Sequence, residues 1–232
     1  MYSEGNMIKN RMKLYVAMIV LLVSIFNGCA MTLPNPNVPF DYIPSPPGNE
    51  TINTRVGMEE LVDKRPKDYS SATRRIADVD EKVTAKLLED FRSSKIFLEV
   101  DYPVQKGKDE IIIRGEVRRF YWKNAQTVAS GIPFVTFLGV PQRKTDSEVN
   151  LYIQLVSSKT GHVIAEYDKT AKKGASYNLY NMNNQYEYKT SDGTKTWREQ
   201  GTELAEAFWD VSNQIKENII SDYKQGRLII PQ

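Results

Sequence analysis

The chain has 232 residues, with 31 basic and 29 acidic side chains and a formal net charge of +2. This balance gives no electrostatic footprint for nucleic acid or for an anionic membrane surface. A single cysteine excludes an internal disulfide, so an exported domain must rely on its hydrophobic core. The length suffices for one domain and a tether.

The first feature in chain order is an apolar run, Leu14–Phe26, which follows the basic residues Lys9, Arg11 and Lys13. A basic start, a short apolar run and a small residue at the cleavage site are typical of a secretory signal. As a helix the run would reach roughly 20 Å, short of the ~30 Å hydrocarbon core of a bilayer. We therefore expect an export signal over residues 1–28 and not a permanent transmembrane helix.

The residues that end this run are Phe26-Asn27-Gly28-Cys29, and Cys29 is the only cysteine. They resemble the lipobox of bacterial lipoproteins, although Leu and a small residue are commoner than Phe26 and Asn27. The resemblance implies cleavage after Gly28 and acyl chains on Cys29; the alternative is an incidental cysteine beside an ordinary cleavage site. Several acyl chains anchor a protein stably. Because Ala30 and not Asp follows, the resemblance implies the outer membrane of a two-membrane bacterium, with the domain in the periplasm.

A proline-rich stretch, Met31–Gly48, comes next and holds six of the eleven prolines. Such a stretch favours extended conformations and spans roughly 55 Å at about 3.1 Å per residue. We expect residues 29–50 to form the lipidated cysteine and a tether, and residues 51–232 to form a single α+β domain. Four apolar side chains leave open that the tether docks onto a partner or onto the chain's own domain: Val38, Phe40, Tyr42 and Ile43.

Two stretches predict amphipathic helices. Asp78 and Glu81 match a capping box before a helix over about 79–94. Its apolar stripe is Val79, Val83, Leu87, Leu88 and Phe91. Thr202 is the expected N-cap of a second helix that ends near Tyr223. Its stripe is Leu204, Phe208, Val211, Ile215 and Ile219.

Strands are predicted between the helices. The expected segments are Phe97–Val100, Glu110–Trp122, Glu148–Ser157 and Val163–Ala171, the last two joined by a turn at Thr160-Gly161. Glu116, Arg118 and Arg119 within the second segment indicate a strand that leaves the core for an edge. The order of elements predicts an α+β fold, a mostly antiparallel sheet with two amphipathic helices packed on one face.

Residues 127–141, TVASGIPFVTFLGVP, carry no charge although they lie between two predicted strands. The candidate contact residues are Ile132, Phe134, Val135, Phe137 and Leu138. One interpretation is a crossover buried under the helices. The other is an exposed apolar loop that contacts a partner or dips into a membrane, since large exposed apolar patches mark such sites.

Residues 174–197 combine tyrosine with asparagine, a composition typical of adaptable recognition surfaces. The candidate contact residues are Tyr177, Tyr180, Tyr186 and Tyr188. A loop of this length in a compact domain is commonly functional. The alternative is that these tyrosines pair as strands that extend the sheet.

Residue patterns for catalysis are missing. The only histidine, His162, falls in the predicted hairpin turn, so no Ser-His, Cys-His or typical zinc arrangement can be assembled. The acidic residues Glu59, Glu60 and Asp63 are expected to be a solvated face. Two distant carboxylates of the glycosidase type are left open by the sequence. We expect no enzymatic activity, no metal and no cofactor besides the covalent lipid.

A resemblance at the level of fold covers about residues 76–223. It rests on the helix end Phe91–Phe97, the strand Ile111–Val117, the hairpin Leu155–Ala165 and the closing helix. These resemble a group of envelope lipoproteins that includes the curli-secretion lipoprotein, the activators of penicillin-binding proteins and the N-terminal domain of the Tol β-propeller protein. The resemblance implies a small domain used for protein contacts and not for chemistry.

The sequence thus favours a non-enzymatic outer-membrane lipoprotein, an interaction or assembly subunit of a cell-envelope complex. Its expected partners are the membrane, through the lipid, and an envelope protein or further copies of itself, with no nucleic acid. The alternative is a homo-oligomeric secretion or export channel component whose apolar loop enters the membrane. A third interpretation is a carrier for lipid or another apolar envelope molecule.

Overall fold

The structure is a computed structural model that describes residues 50–66, 78–127, 138–141, 143–177, 186–189, 195–198 and 202–228. The expected signal, Gly28, Cys29 and all but the last residue of the tether lie outside the described residues. The strands are β1 (Ile52–Met58), β2 (Val62–Asp63), β3 (Phe97–Asp101), β4 (Ile111–Gln126), β5 (Arg143–Ser157), β6 (Val163–Tyr177), β7 (Tyr186–Lys189) and β8 (Lys195–Arg198). The helices are α1 (Val79–Ser94) and α2 (Thr202–Lys224).

The chain divides into two compact units. The larger unit comprises Pro34–Lys123, Thr145–Ala175 and Asn184–Gln232, and the smaller comprises Met1–Leu33, Asn124–Lys144 and Ser176–Asn183. The larger unit contains both helices and the hydrophobic core.

The main sheet has the order β3-β1-β4-β5-β6, so β3 and β6 are its outer strands. β1 is parallel to both β3 and β4, and β2 is parallel to β4. β4 and β5 are antiparallel, because Arg114 bonds to Gln154 whereas the later Arg119 bonds to the earlier Glu148. The predicted α+β class with a mostly antiparallel sheet is confirmed, although the sheet is mixed. The packing of both helices on one face stays a prediction.

The prediction that β4 approaches an edge is wrong. β4 lies inside the sheet, bordered by β1 and β2 on one side and by β5 on the other. Val117, Phe120 and Trp122 remain buried along its length. The charged residues Glu116 and Arg118 flank the buried Val117 and are themselves only half-buried, because an antiparallel sheet commonly keeps one face in water. The mixture of apolar and charged residues in β4 therefore reflects the two faces of one inner strand.

Both predicted helices are confirmed, but the capping box is wrong. Asp78 has a left-handed backbone, with φ of 52°, and makes no side-chain cap hydrogen bond. An N-cap side chain reaches the first turn from an extended backbone, which Asp78 lacks. The carboxylate of Asp80 instead accepts the Glu81 N–H at 3.1 Å.

One hydrophobic core joins the helices to the strands. The α1 residues Val83, Leu87 and Phe91 are fully buried, as are the alternate β5 residues from Val149 to Leu155. Four α2 residues complete it, namely Phe208, Val211, Ile215 and Ile219. The helical spacing in α1 and α2 and the alternation in β5 thus identify the faces that are buried together.

A charged contact lies inside this core, between the two helices. Asp90 of α1 is fully buried, and its Oδ2 lies 2.6 Å from the Lys216 Nζ of α2. The hydroxyl of Ser212 donates to the same oxygen at 2.5 Å. Burial lowers the pKa of the Lys216 ammonium, whereas the Asp90 carboxylate raises it. Each charge is tolerated in the core only because the other is present.

Removal of one partner should therefore be costly. We expect Asp90→Leu to lower the free energy of unfolding by about 3–5 kcal/mol, because Lys216 would stay buried and lose the carboxylate that contacts it at 2.6 Å. Adding Lys216→Met to this variant should recover most of the loss. Urea denaturation of the two variants measures the difference.

The matched control is the exposed pair Lys86–Glu89 on the same helix, whose atoms lie 3.1 Å apart. Glu89→Leu should change the free energy of unfolding by less than about 1 kcal/mol. Equal losses in Asp90→Leu and in the double variant would show that the ion pair does not control the cost.

Candidate interaction surface

The charge-free segment between β4 and β5 is described only at its two ends, which lie in the smaller unit. The Thr127 hydroxyl donates to the Pro141 carbonyl and closes the base of the segment. Leu138 is 66% exposed and Val140 is 37% exposed. These two apolar side chains are not buried, as the exposed-loop interpretation requires. The other candidates, Ile132, Phe134, Val135 and Phe137, lie outside the described residues.

The tyrosine-rich stretch is also described in part. Tyr177 is the last residue of β6, and Tyr180 lies outside the described residues. Tyr186 and Tyr188 belong to β7, which pairs with β8 in a separate two-stranded antiparallel sheet. The interpretation in which Tyr186 and Tyr188 extend the main sheet is therefore wrong. Their role as partner contacts stays a prediction.

The exposed side of β4, β5 and β6 is a connected polar surface. Arg118 lies 4.0 Å above the ring of Tyr152 and pairs with Asp168 at 2.7 Å and Glu116 at 2.9 Å. The hydrogen bond from the Tyr152 hydroxyl lowers the pKa of the Glu166 carboxyl. The charges of Arg118, Asp168 and Glu166 each face an opposite charge or a hydrogen-bond donor, which reduces the attraction of this part of the surface for a charged ligand.

A recess of about 340 Å³ lies at the far end of this surface, lined by Tyr121, Lys123, Asp146, Ser147, Lys172, Lys173 and Gly174. Next to it the nearly buried Glu148 carboxylate pairs with Arg119 at 2.9 Å and Lys172 at 3.4 Å. The Tyr121 hydroxyl donates to its second oxygen at 3.1 Å. This single carboxylate offsets only part of the positive charge of the two cations.

A second group of carboxylates lies where β3 ends and β4 begins. Asp109 is 3% exposed, its Oδ2 accepts the Gln105 N–H at 2.5 Å, and its Oδ1 accepts no hydrogen bond. Asp101 contacts Asp109 and also pairs with Arg55 at 3.1 Å. Arg55 pairs in addition with Glu99 at 2.8 Å. One guanidinium therefore serves several carboxylates.

The neighbouring carboxylates and burial change the pKa of the Asp109 carboxyl. Burial raises the pKa of its carboxyl, and the Asp101 carboxylate raises it further, against the opposing effects of the Gln105 N–H and Arg55. Two adjacent carboxyl groups avoid repulsion by sharing one proton. Folding therefore favours the protonated form of the Asp109 carboxyl more than the unfolded chain does.

Within the described residues, the side chains that commonly serve in catalysis or metal binding do not form a recognisable site. His162 is exposed in the turn between β5 and β6, where its backbone N–H donates to the Thr160 hydroxyl at 3.3 Å. Within the described ranges no three or more His, Cys, Asp or Glu residues could hold a metal ion. Helices in the same ranges are too short or too polar to cross a bilayer. The absence of enzymatic activity stays a prediction.

Sequence reasoning missed several positions. Asp63 was expected in a solvated acidic face with the exposed Glu59 and Glu60, but it forms a bidentate pair with the nearly buried Arg65. The Asp101–Asp109 contact has no spacing signal, because the two residues meet only through the fold. Leu98 did have a signal: it directly follows Phe97 in a short strand, and adjacent residues point to opposite faces.

Comparison with known proteins finds structures of similar fold but no family for this chain. No protein-family model and no curated protein matches the sequence. A Xanthomonas campestris protein of family DUF330 is similar in structure, with a TM-score of 0.41 and 11% identity over 78% of this chain and 91% of that chain. PelC from Paraburkholderia phytofirmans, solved as a dodecamer, has a TM-score of 0.38 and 10% identity over 70% and 86%.

The lipoprotein GNA1162 from Neisseria meningitidis is also similar, with a TM-score of 0.37 and 10% identity over 71% of this chain and 99% of that chain. Similarity of this degree supports no assignment of family or function. What the described geometry defines is an α+β domain with an open, mixed sheet.

The Asp101–Asp109 contact makes a pH-dependent prediction. A carboxyl whose pKa is raised by folding destabilises the folded state as pH rises through the interval between its ordinary and its raised pKa. Asp109→Asn keeps an oxygen for the Gln105 N–H and supplies a neutral donor to Asp101. We expect it to raise the free energy of unfolding at pH 7 by about 1 kcal/mol, roughly one buried hydrogen bond.

Thermal melts between pH 3 and pH 8 measure this effect, which should shrink toward pH 3, where the wild-type carboxyl is already protonated. Asp109→Ala is the control, since it removes the acceptor of the Gln105 N–H and should destabilise at every pH. A gain from Asp109→Asn that is the same at all pH values would show that no proton is shared.

Proposed function

We propose that this protein is a non-enzymatic outer-membrane lipoprotein that acts as an interaction or assembly subunit of a cell-envelope complex. Acyl chains on Cys29 hold it in the membrane, and the proline-rich tether separates its α+β domain from the lipid. The domain lies in the periplasm and works through protein contacts.

The anchor is supported by the sequence. The only cysteine stands directly after the apolar signal and a glycine, which is where lipidation requires it. More than one acyl chain gives stable attachment, whereas a single chain gives only marginal binding.

The contact function is supported chiefly by one observation, the exposure of Leu138 beside Val140 at the end of the charge-free segment. A run of apolar residues that ends in exposed side chains is costly in water, and its cost is removed when a partner covers it. The described polar surface of β4–β6 has compensated charges and offers no comparable driving force.

Lipidation can be tested on the intact chain. The purified protein should begin at Cys29 and carry the mass of the acyl chains, while Cys29→Ser should leave the precursor uncut and change its membrane extraction. Intact-mass spectrometry gives both results. A wild-type mass without acyl groups would overturn the anchor.

The contact surface can be tested at its described end. We expect Leu138→Ser with Val140→Ser to reduce partner capture at least tenfold in gentle detergent extracts of the native envelope, because both apolar contacts are lost. The free energy of unfolding should change by less than about 0.5 kcal/mol, as for exposed positions. Phe134→Ser with Phe137→Ser should have the same effect on capture.

The matched control is Val163→Ser, which alters another exposed apolar residue, 41% exposed. It should leave capture unchanged. A stoichiometric envelope protein in the extract supports the proposal. A large assembly of this chain alone would contradict it and favour the homo-oligomeric channel component.

A further inference from the structure

The outer strand β3 lines a groove of about 650 Å³. Its lining includes the β3 residues Leu98, Glu99 and Asp101, the helix end at Arg92 and Lys95, and Thr51 just before β1. Leu98 is 60% exposed in it. An exposed apolar side chain on an unpaired strand edge is a place where another extended segment is readily added.

The groove carries charges of both signs. The acidic side chains Glu99 and Asp101 share the Arg55 guanidinium. On the helix side, the Arg92 guanidinium donates to the Val100 carbonyl at 2.8 Å, and within the described ranges neither Arg92 nor Lys95 pairs with a carboxylate. The groove therefore favours an extended segment that brings apolar side chains to Leu98 and places any acidic residue at the Arg92–Lys95 end.

We propose that the tether segment Phe40–Ile43 occupies this groove as an added strand, antiparallel to β3. The described chain starts at the groove itself: the Thr51 hydroxyl donates to the Lys95 carbonyl at 2.9 Å. Glu50 is held beside it by Lys224 at 2.7 Å. The tether thus leaves the domain next to the site that it would fill.

The length of the chain allows this docking. The Ile52 N–H donates to the Ile96 carbonyl at 2.8 Å, so β1 starts beside the start of β3. From there to the outer side of β3 the path covers two strand spacings, about 10 Å. The seven residues Pro44–Glu50 reach up to about 23 Å. Because β1 and β3 are parallel, a segment that turns back along β3 runs antiparallel to it.

The chemistry of the segment fits the groove. Phe40–Ile43 keeps its backbone N–H groups between Pro39 and Pro44, and prolines are tolerated at the ends of an edge strand. Aromatic and β-branched residues favour strands. Asp41 is the only charged residue in Met31–Gly48, and its charge is opposite to that of Arg92 and Lys95.

Docking would shorten the reach of the domain. With Phe40–Ile43 bound, only residues 30–39 remain as spacer, roughly 30 Å instead of roughly 55 Å. The docking does not depend on lipidation, but this consequence rests on the proposed anchor at Cys29. A partner strand that displaces the tether would release the longer reach.

A photo-crosslinking amino acid, p-benzoylphenylalanine, placed at Leu98 of the full-length protein tests the proposal in detergent. Mass spectrometry should find the crosslink on residues 39–44. Mixing isotope-labelled with unlabelled chains should show it to be within one chain. Phe40→Asp with Tyr42→Asp should lower the yield at least tenfold, and Leu33→Asp should not.

The same crosslinker at Val62, which is 51% exposed on β2, should not reach the tether. A crosslink from Leu98 to a second copy, to a different protein or to no part of the tether would overturn the docking. An equal yield in the Asp variant would also overturn it. If Cys29 proves unmodified while the tether crosslink forms, the proposed anchor fails and the docking stands.

Discussion

The contact between Asp90 and Lys216 is the constraint on which the arrangement of the two helices depends. Hydrophobic burial is strong but non-directional, so the stripes of α1 and α2 alone would accept several relative positions. A buried carboxylate and a buried ammonium are tolerated only at hydrogen-bonding distance. The 2.6 Å contact, reinforced by Ser212, therefore selects one pairing of helix turns.

Outside the core, the described surfaces differ in how far their charges are compensated. On the β4–β6 surface, Arg118 faces both Glu116 and Asp168, which leaves little unsatisfied charge. At the β3 edge, Arg92 and Lys95 have no carboxylate partner within the described ranges, and Leu98 is exposed. Since compensated surfaces attract partners weakly, the β3 edge and the apolar end at Leu138 are the two places where binding would gain most.

Much of the fold could be predicted from local patterns. The stripe Val83-Leu87-Phe91 predicted α1 to the residue, because helical spacing places these side chains on one face. The four strand segments predicted between the helices are also confirmed, as β3, β4, β5 and β6. Two local predictions were wrong: Asp78 adopts a left-handed backbone and so makes no cap bond, and β4 is an inner strand. The neighbours of a strand depend on hydrogen bonds to strands elsewhere in the chain, which the composition of the strand itself does not indicate.

By itself, the sequence determined the elements, the apolar faces and the position of the sole cysteine after a short apolar run. It determined these because periodicity and signal composition are properties of neighbouring residues. Only the tertiary structure decided that Asp90 meets Lys216, that Asp109 meets Asp101 and that β3 is an outer strand of the main sheet. The first contact joins two distant helices, the second depends on how the chain turns between β3 and β4, and the third depends on strand pairing; no local residue pattern encodes any of them.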